Sequence, residues 1–164
     1  DLDRSFSRAR NNYATFLFSR RRFEEAEAQL ERVVQDTLYN ARPLAFVNLG
    51  LCRQRLGKGE AAEEAFRRAL SMNRDQALAL QELALLRLEA GDPEEAAQLY
   101  RRYRDAVRFQ SARGLWLGIR LARARGDKDA ESSYALALTN LFPDSPELAA
   151  YRRTMGSPDS VRKE

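Results

Sequence analysis

Apolar residues recur along this chain at intervals of three and four, in short blocks separated by polar turns that carry glycine or proline. That spacing puts the apolar side chains on one face of an α-helix. It predicts helices over about residues 8–20, 24–37, 43–56, 60–72, 77–90, 93–106, 112–125 and 128–141. Gly57, Gly91 and Gly126 close every second one of these helices from the third onward, where a left-handed terminal residue costs glycine little. Asp92-Pro93-Glu94-Glu95 reads as a helix start, with Asp92 as the cap, Pro93 at the first helical position and Glu95 reaching back to the cap backbone.

A longer period overlies the helical one. Ala14, Gly50, Ala84 and Gly118 are each followed twelve residues later by Ala26, Ala62, Ala96 and Ala130, with successive offsets of 36, 34 and 34. Larger residues stay in phase with them: Tyr13, Leu49, Leu83, Leu117; Leu30, Phe66, Tyr100, Tyr134; and Val34, Leu70, Arg104, Leu138. Small residues let paired helices approach, and large ones fill the space between pairs. A helix-turn-helix unit of this length with small residues at those two points is the tetratricopeptide signature. The expected fold is therefore all-α, a right-handed superhelix (α-solenoid) of four complete repeats plus a C-terminal capping helix.

The repeats fall at about 7–40, 43–76, 77–110 and 111–144, within one domain over 1–154. Asp36 to Pro43 holds the two extra residues of the first junction. Phe142-Pro143-Asp144-Ser145-Pro146-Glu147 stops one helix and caps another, which predicts the capping helix at about 146–154 over the last apolar face. Residues 155–164 are polar and lack an apolar period, so a disordered tail is expected there. Residues 1–6 read as the tail of an upstream repeat, because Leu2 to Ser7 align with Met72 to Ala77. On that reading at least one repeat, and any signal or lipid anchor, would lie upstream.

Composition removes much chemistry. There is no histidine and one cysteine, Cys52, so the commonest general base, an internal disulfide and a cysteine-rich zinc site are excluded. We expect no enzyme, no metal and no cofactor, with Cys52 a small buried apolar residue. The 28 Lys and Arg residues against 24 Asp and Glu are nearly all arginine, and glutamates are interspersed with them. That predicts a solvated, mixed-sign outer face, and without a basic stripe or aromatic platform no nucleic-acid partner. No run approaches the ~20 apolar residues of a membrane span.

The inner face offers the candidate site. In such arrays the first helix of each pair lines the concave surface through its second, fifth, ninth and twelfth positions, and here those become largely aliphatic from the second repeat onward. The candidate partner-binding groove is Phe18, Leu44, Val47, Leu51, Leu78, Leu85, Leu88, Leu115 and Ile119. Either they form an open apolar surface for an amphipathic helix or extended peptide, or neighbouring helices bury them. Trp116 lies one position off that face and is expected to pack between helices. Asn11, Thr15, Asn48, Leu78 and Glu82 occupy the places of the clamp that holds heat-shock chaperone tails, and only one of the five matches. A chaperone-tail clamp is not expected.

Four stretches carry a narrower resemblance: NNYATFL at 11–17, LYNARPLAFVNLGLC at 38–52, LWLGIRLAR at 115–123 and NLFPDSPE at 140–147. Together they resemble the type IV pilus biogenesis and stability lipoproteins, the pilotins of the pilus secretin in Gram-negative bacteria. The resemblance implies a lipid-anchored protein on the periplasmic face of the outer membrane. Its partner would be the secretin, which it would help to reach that membrane and to form its multimeric ring. The family's lipidated cysteine and early repeats have no counterpart in this sequence, and Ala14 stands where the family often has glycine. A generic bacterial tetratricopeptide scaffold binding an amphipathic helix of another partner remains the alternative. A module attached to a catalytic domain elsewhere is a third reading.

Overall fold

The structure, a computed structural model, describes residues 2–155, with side chains from Phe6 onward. Of the expected polar tail, everything after Met155 lies outside the described residues. The described residues form nine helices: α1 (Leu2–Ser19), α2 (Phe23–Gln35), α3 (Arg42–Arg55), α4 (Gly59–Met72), α5 (Ala77–Glu89), α6 (Pro93–Ala106), α7 (Ala112–Ala124), α8 (Lys128–Leu141) and α9 (Pro146–Met155). Consecutive helices pair as α1–α2, α3–α4, α5–α6 and α7–α8, each pair stacks on the next, and α9 lies against α7 and α8. The result is the repeat solenoid with its cover.

All four turns within the pairs are built alike. The N–H groups of Arg22, Lys58, Asp92 and Asp127 donate to the carbonyls of Leu17, Arg53, Arg87 and Ala122, which wraps the end of each first helix. The wrap needs one left-handed residue. Gly57, Gly91 and Gly126 supply it at φ +72°, +82° and +70°, whereas Arg21 does so at φ +62°. A left-handed non-glycine residue is strained by roughly 1–2 kcal/mol. Arg21→Gly is therefore expected to stabilise the protein by about 1 kcal/mol and to raise its melting temperature by roughly 2–4 °C. A melting curve that does not rise would contradict this account of the turn.

Side-chain caps open the later helices. Asp92, Ser111, Asp127 and Ser145 accept from the N–H of Glu95, Gly114, Ala130 and Leu148 at 2.9–3.2 Å. Glu95 does not reach back to its cap. Its carboxylate pairs with Arg67 at 2.6 Å and with Arg87 Nε at 2.8 Å, the latter by charge alone because the angle does not suit a hydrogen bond.

One helix boundary and one repeat column differ from the sequence expectation. The first helix begins at Leu2 rather than residue 8. The later segment aligned with it turns at Asn73, whose side chain accepts from the Asp75 N–H, and residues 2–7 contain no asparagine to make that turn. In the fourth repeat Ala130 is one residue early. Ala26, Ala62 and Ala96 donate to the carbonyls of Arg22, Lys58 and Asp92, but it is Glu131 that donates to Asp127. The cause is the interval from small residue to turn glycine, which is seven from Gly50 to Gly57 and from Ala84 to Gly91 but eight from Gly118 to Gly126. Accordingly Ala135, not Tyr134, is the buried residue four places on.

The core runs along the stack. A central cluster joins Val47, Phe66, Leu80, Leu83, Tyr100 and Leu117. Leu17, Leu30, Val33 and Cys52 fill the first pair, and Leu115, Ile119 and Leu138 meet Leu148 of α9 at the far end. Leu49, Leu83 and Leu117 are buried against the preceding pair, whereas Tyr13 in the same column is exposed. Trp116 meets Tyr151 edge-on at 6.4 Å, packing α7 against α9.

Candidate functional site

The nine aliphatic and aromatic residues expected on the inner face divide into two groups. Val47 and Ile119 are fully buried, Leu115 nearly so, and Leu85 is 8% exposed. These four are core rather than groove. The next first helix along the stack covers them: Val47 and Leu85 belong to the central cluster, and Leu115 and Ile119 pack under α9 through Leu148. Leu44 and Leu78 stand open at 44% and 40%, and Phe18, Leu51 and Leu88 are half-buried. The apolar surface is thus narrower than the sequence pattern implies and lies toward the ends of the first helices.

Between α1 and α3 this surface dips into a cavity of about 50 Å³ lined by Ala14, Thr15, Phe18, Asn48, Leu51 and Cys52. Phe18 is held edge-on against Phe23 at 5.1 Å, with the Arg55 guanidinium 5.6 Å above its ring. The space is small and lined mainly by apolar side chains, which suits a small alkyl group. Cys52 is fully buried, and burial, with a lesser contribution from Glu27, pushes its thiol up to about 12. The thiolate needed for a nucleophile is therefore absent at neutral pH.

A polar network crosses the same side of the stack. Glu82 on α5 is buried, yet its carboxylate accepts from Gln54 of α3 at 3.2 Å, from Gln81 at 3.1 Å and from Arg113 of α7 at 2.6 and 2.8 Å. Ser111 donates to Gln81 at 2.7 Å, and Asn48 to Asn11 at 3.3 Å between α3 and α1. A buried carboxylate is tolerated only when paired and hydrogen-bonded, and this one ties three repeats together. The hydrogen bonds to Glu82 in turn raise the Arg113 pKa. Sequence reasoning passed over this role of Glu82; the signal was a lone carboxylate within the aliphatic run of residues 77–88.

Other exposed apolar residues escaped the sequence pattern because they lie in loops, as Leu38 and Phe109 do, or at a helix end, as Met72 does. Leu38, Met72 and Phe109 are exposed where a second helix returns to the next first helix, the same edge that bears Leu44 and Leu78. Among the described residues no group of three or more His, Cys, Asp or Glu could hold a metal ion, and no helix is long and apolar enough to cross a membrane.

Residues 47–111 match the family model described as tetratricopeptide repeat. The type IV pilus assembly protein PilF of Pseudomonas aeruginosa is 38% identical over 146 residues, which are 89% of this chain and 58% of that protein. The chain thus spans less than two thirds of that relative's length. The solved structure of Pseudomonas aeruginosa PilF superposes with a TM-score of 0.82 at 38% identity, covering 90% of this chain and 66% of that one. PilW, described as a widely conserved type IV pilus biogenesis factor, gives 0.73 at 30% identity, with 88% and 66% covered. The first tetratricopeptide domain of Spaghetti, bound to an HSP90 peptide, gives 0.68 at 19% identity over 74% of this chain and 94% of its own, a likeness of fold alone. The chain is a tetratricopeptide-repeat solenoid and a homologue of the type IV pilus biogenesis proteins PilF and PilW.

Proposed function

We propose that this chain is the partner-binding array of a pilotin-like factor, which supports outer-membrane localisation and multimer assembly of the type IV pilus secretin. The observation that carries the reading is the similarity to PilF along 89% of the chain. In the full-length protein an upstream lipid would hold the array at the periplasmic face of the outer membrane. Such an array needs no catalytic groups to hold a partner, and its sequence offers no histidine and one thiol, which is buried.

The binding surface is the open part of the inner face, Phe18, Leu44, Leu51, Leu78 and Leu88. An amphipathic helix of the partner would present leucine-sized side chains at one-turn intervals, which suits half-buried aliphatic residues on successive parallel helices. Covering that segment would keep it from aggregating before the ring closes. The test is deletion of the gene. Heat- and detergent-resistant secretin multimers should disappear from outer-membrane fractions and surface pili should be lost, whereas normal multimers in the normal place would overturn the assignment.

A further inference from the structure

Between successive second helices runs a furrow floored by the first helix that lies between them. In the first two furrows the same repeat positions form an ion pair. Arg53 of α3 reaches Glu27 and Glu31 of α2 at 3.2 and 3.3 Å, and Arg87 of α5 reaches Glu63 of α4 at 3.4 Å. In the third furrow, between α6 and α8, the place of Arg53 and Arg87 is Leu121, and the place of Glu27 and Glu63 is Ala97. Both members of the pair are gone. The third furrow holds a cleft of about 290 Å³, against about 380 Å³ in the first, and differs in having the uncharged Leu121, Ala97 and Gly118 in its lining where the first has Arg53 and Glu31.

The rim changes with the floor. Glu31 of the first furrow corresponds to Arg101 of the third, and Val34 corresponds to Arg104; Arg125, from the end of α7, is a third cation on the cleft. Arg101 and Arg125 have no ion-pair partner among the described residues. Arg104 donates to the Tyr134 hydroxyl at 3.0 Å and lies over its ring, which leaves its charge uncompensated. The rim's one carboxylate, Asp127, already caps α8 through the Ala130 N–H. Arg123 turns away, onto Glu131, Thr154 and the Tyr151 ring.

We propose that this third furrow binds an acidic segment of a protein partner, its carboxylates taking the place of the missing glutamates and an adjacent aliphatic side chain filling the space over Ala97 and Leu121. Guanidinium groups pair with carboxylates through two parallel hydrogen bonds, the geometry that Arg113 and Glu82 show within this molecule. A bare phosphate or lipid headgroup would satisfy the arginines and leave the apolar floor unfilled. The inference rests on no part of the inner-face reading, because the cleft is lined by α6, α7 and α8 and contains none of Phe18, Leu44, Leu51, Leu78 or Leu88.

The test is fluorescence-anisotropy titration of the protein with a labelled helical peptide bearing glutamate at successive turns beside leucine. A copy with every glutamate replaced by glutamine, and vesicles containing phosphatidylglycerol, serve as the other probes. The acidic peptide should bind, its glutamine copy should bind at least about tenfold more weakly, and rising salt should weaken the complex. Arg101→Gln with Arg125→Gln, at exposed sites, should lose about tenfold in affinity with melting unchanged. Ala97→Glu with Leu121→Arg rebuilds the ion pair of the other furrows and, where the variant melts cooperatively, should abolish binding. Equal binding of the two peptides, full affinity in the Arg101/Arg125 variant or in a folded Ala97/Leu121 variant, or capture of vesicles without the peptide would each overturn the proposal.

Discussion

Leu85→Glu is expected to unfold the array under conditions where Leu78→Glu leaves it intact. Both leucines lie on α5 and both were expected in the groove, but Leu85 packs within the central cluster and Leu78 stands open on the first turn. A carboxylate at residue 85 would lose water without gaining a cation, and it would sit one turn from both Glu82 and Glu89. An uncompensated buried charge costs about 3–5 kcal/mol, a large share of the roughly 5–15 kcal/mol that holds a domain folded. At residue 78 a carboxylate stays in water near the positive end of the helix dipole, so no loss is expected. Thermal melts followed by circular dichroism separate the two cases. A Leu85→Glu protein that melts like the parent would mean that this side chain faces an open groove after all.

The second large effect lies where Gly50 of α3 packs against the Phe66 ring of α4. A Cβ added at Gly50 would stand 2.5 Å from Cε1 and 2.7 Å from Cζ of Phe66, and that ring is fully buried. Gly50→Ala should therefore destabilise the protein by about 1–3 kcal/mol through overpacking, and Phe66→Ala by about 3–5 kcal/mol through the cavity it leaves. The first pair solves the same contact with Ala14 and Leu30. The double variant Gly50→Ala with Phe66→Leu copies that solution and should be more stable than the sum of its single variants by at least about 0.5 kcal/mol. Denaturant titration of the four proteins gives the coupling. Strict additivity would show that the two side chains do not share one space.

The helices and their turns were legible in the sequence because they depend on local chemistry. Turn glycines sit where backbone geometry demands a positive φ, and the cap at Asp92 falls where its side chain meets the Glu95 N–H. The second-helix columns that start at Ala26 and Leu30 held for three repeats for the same reason. They slipped in the fourth because one extra residue before Gly126 leaves the column count intact while moving α8 by one place. A clue was present: Asp127 stands three residues before Ala130, whereas Asp92 stands four before Ala96. The inner face was legible only in part. Whether Val47 or Ile119 is groove or core depends on how closely the next first helix lies over it, which is a matter of packing between repeats and leaves no mark in the pattern of one helix. The Glu82 network and the third furrow were less legible still, since each is defined by side chains some thirty residues apart, such as Glu82 with Arg113 and Ala97 with Leu121.

On the proposed function, the open residues of the inner face hold the secretin while it assembles. Complementing the deletion strain with the full-length protein carrying Leu44→Glu and Leu78→Glu tests it most directly, because both sites are exposed and the array should stay folded. With the variant present at the parent's level and melting at the parent's temperature, heat- and detergent-resistant secretin multimers should remain depleted from the outer membrane. Multimers restored to the parent's level by that variant would contradict it.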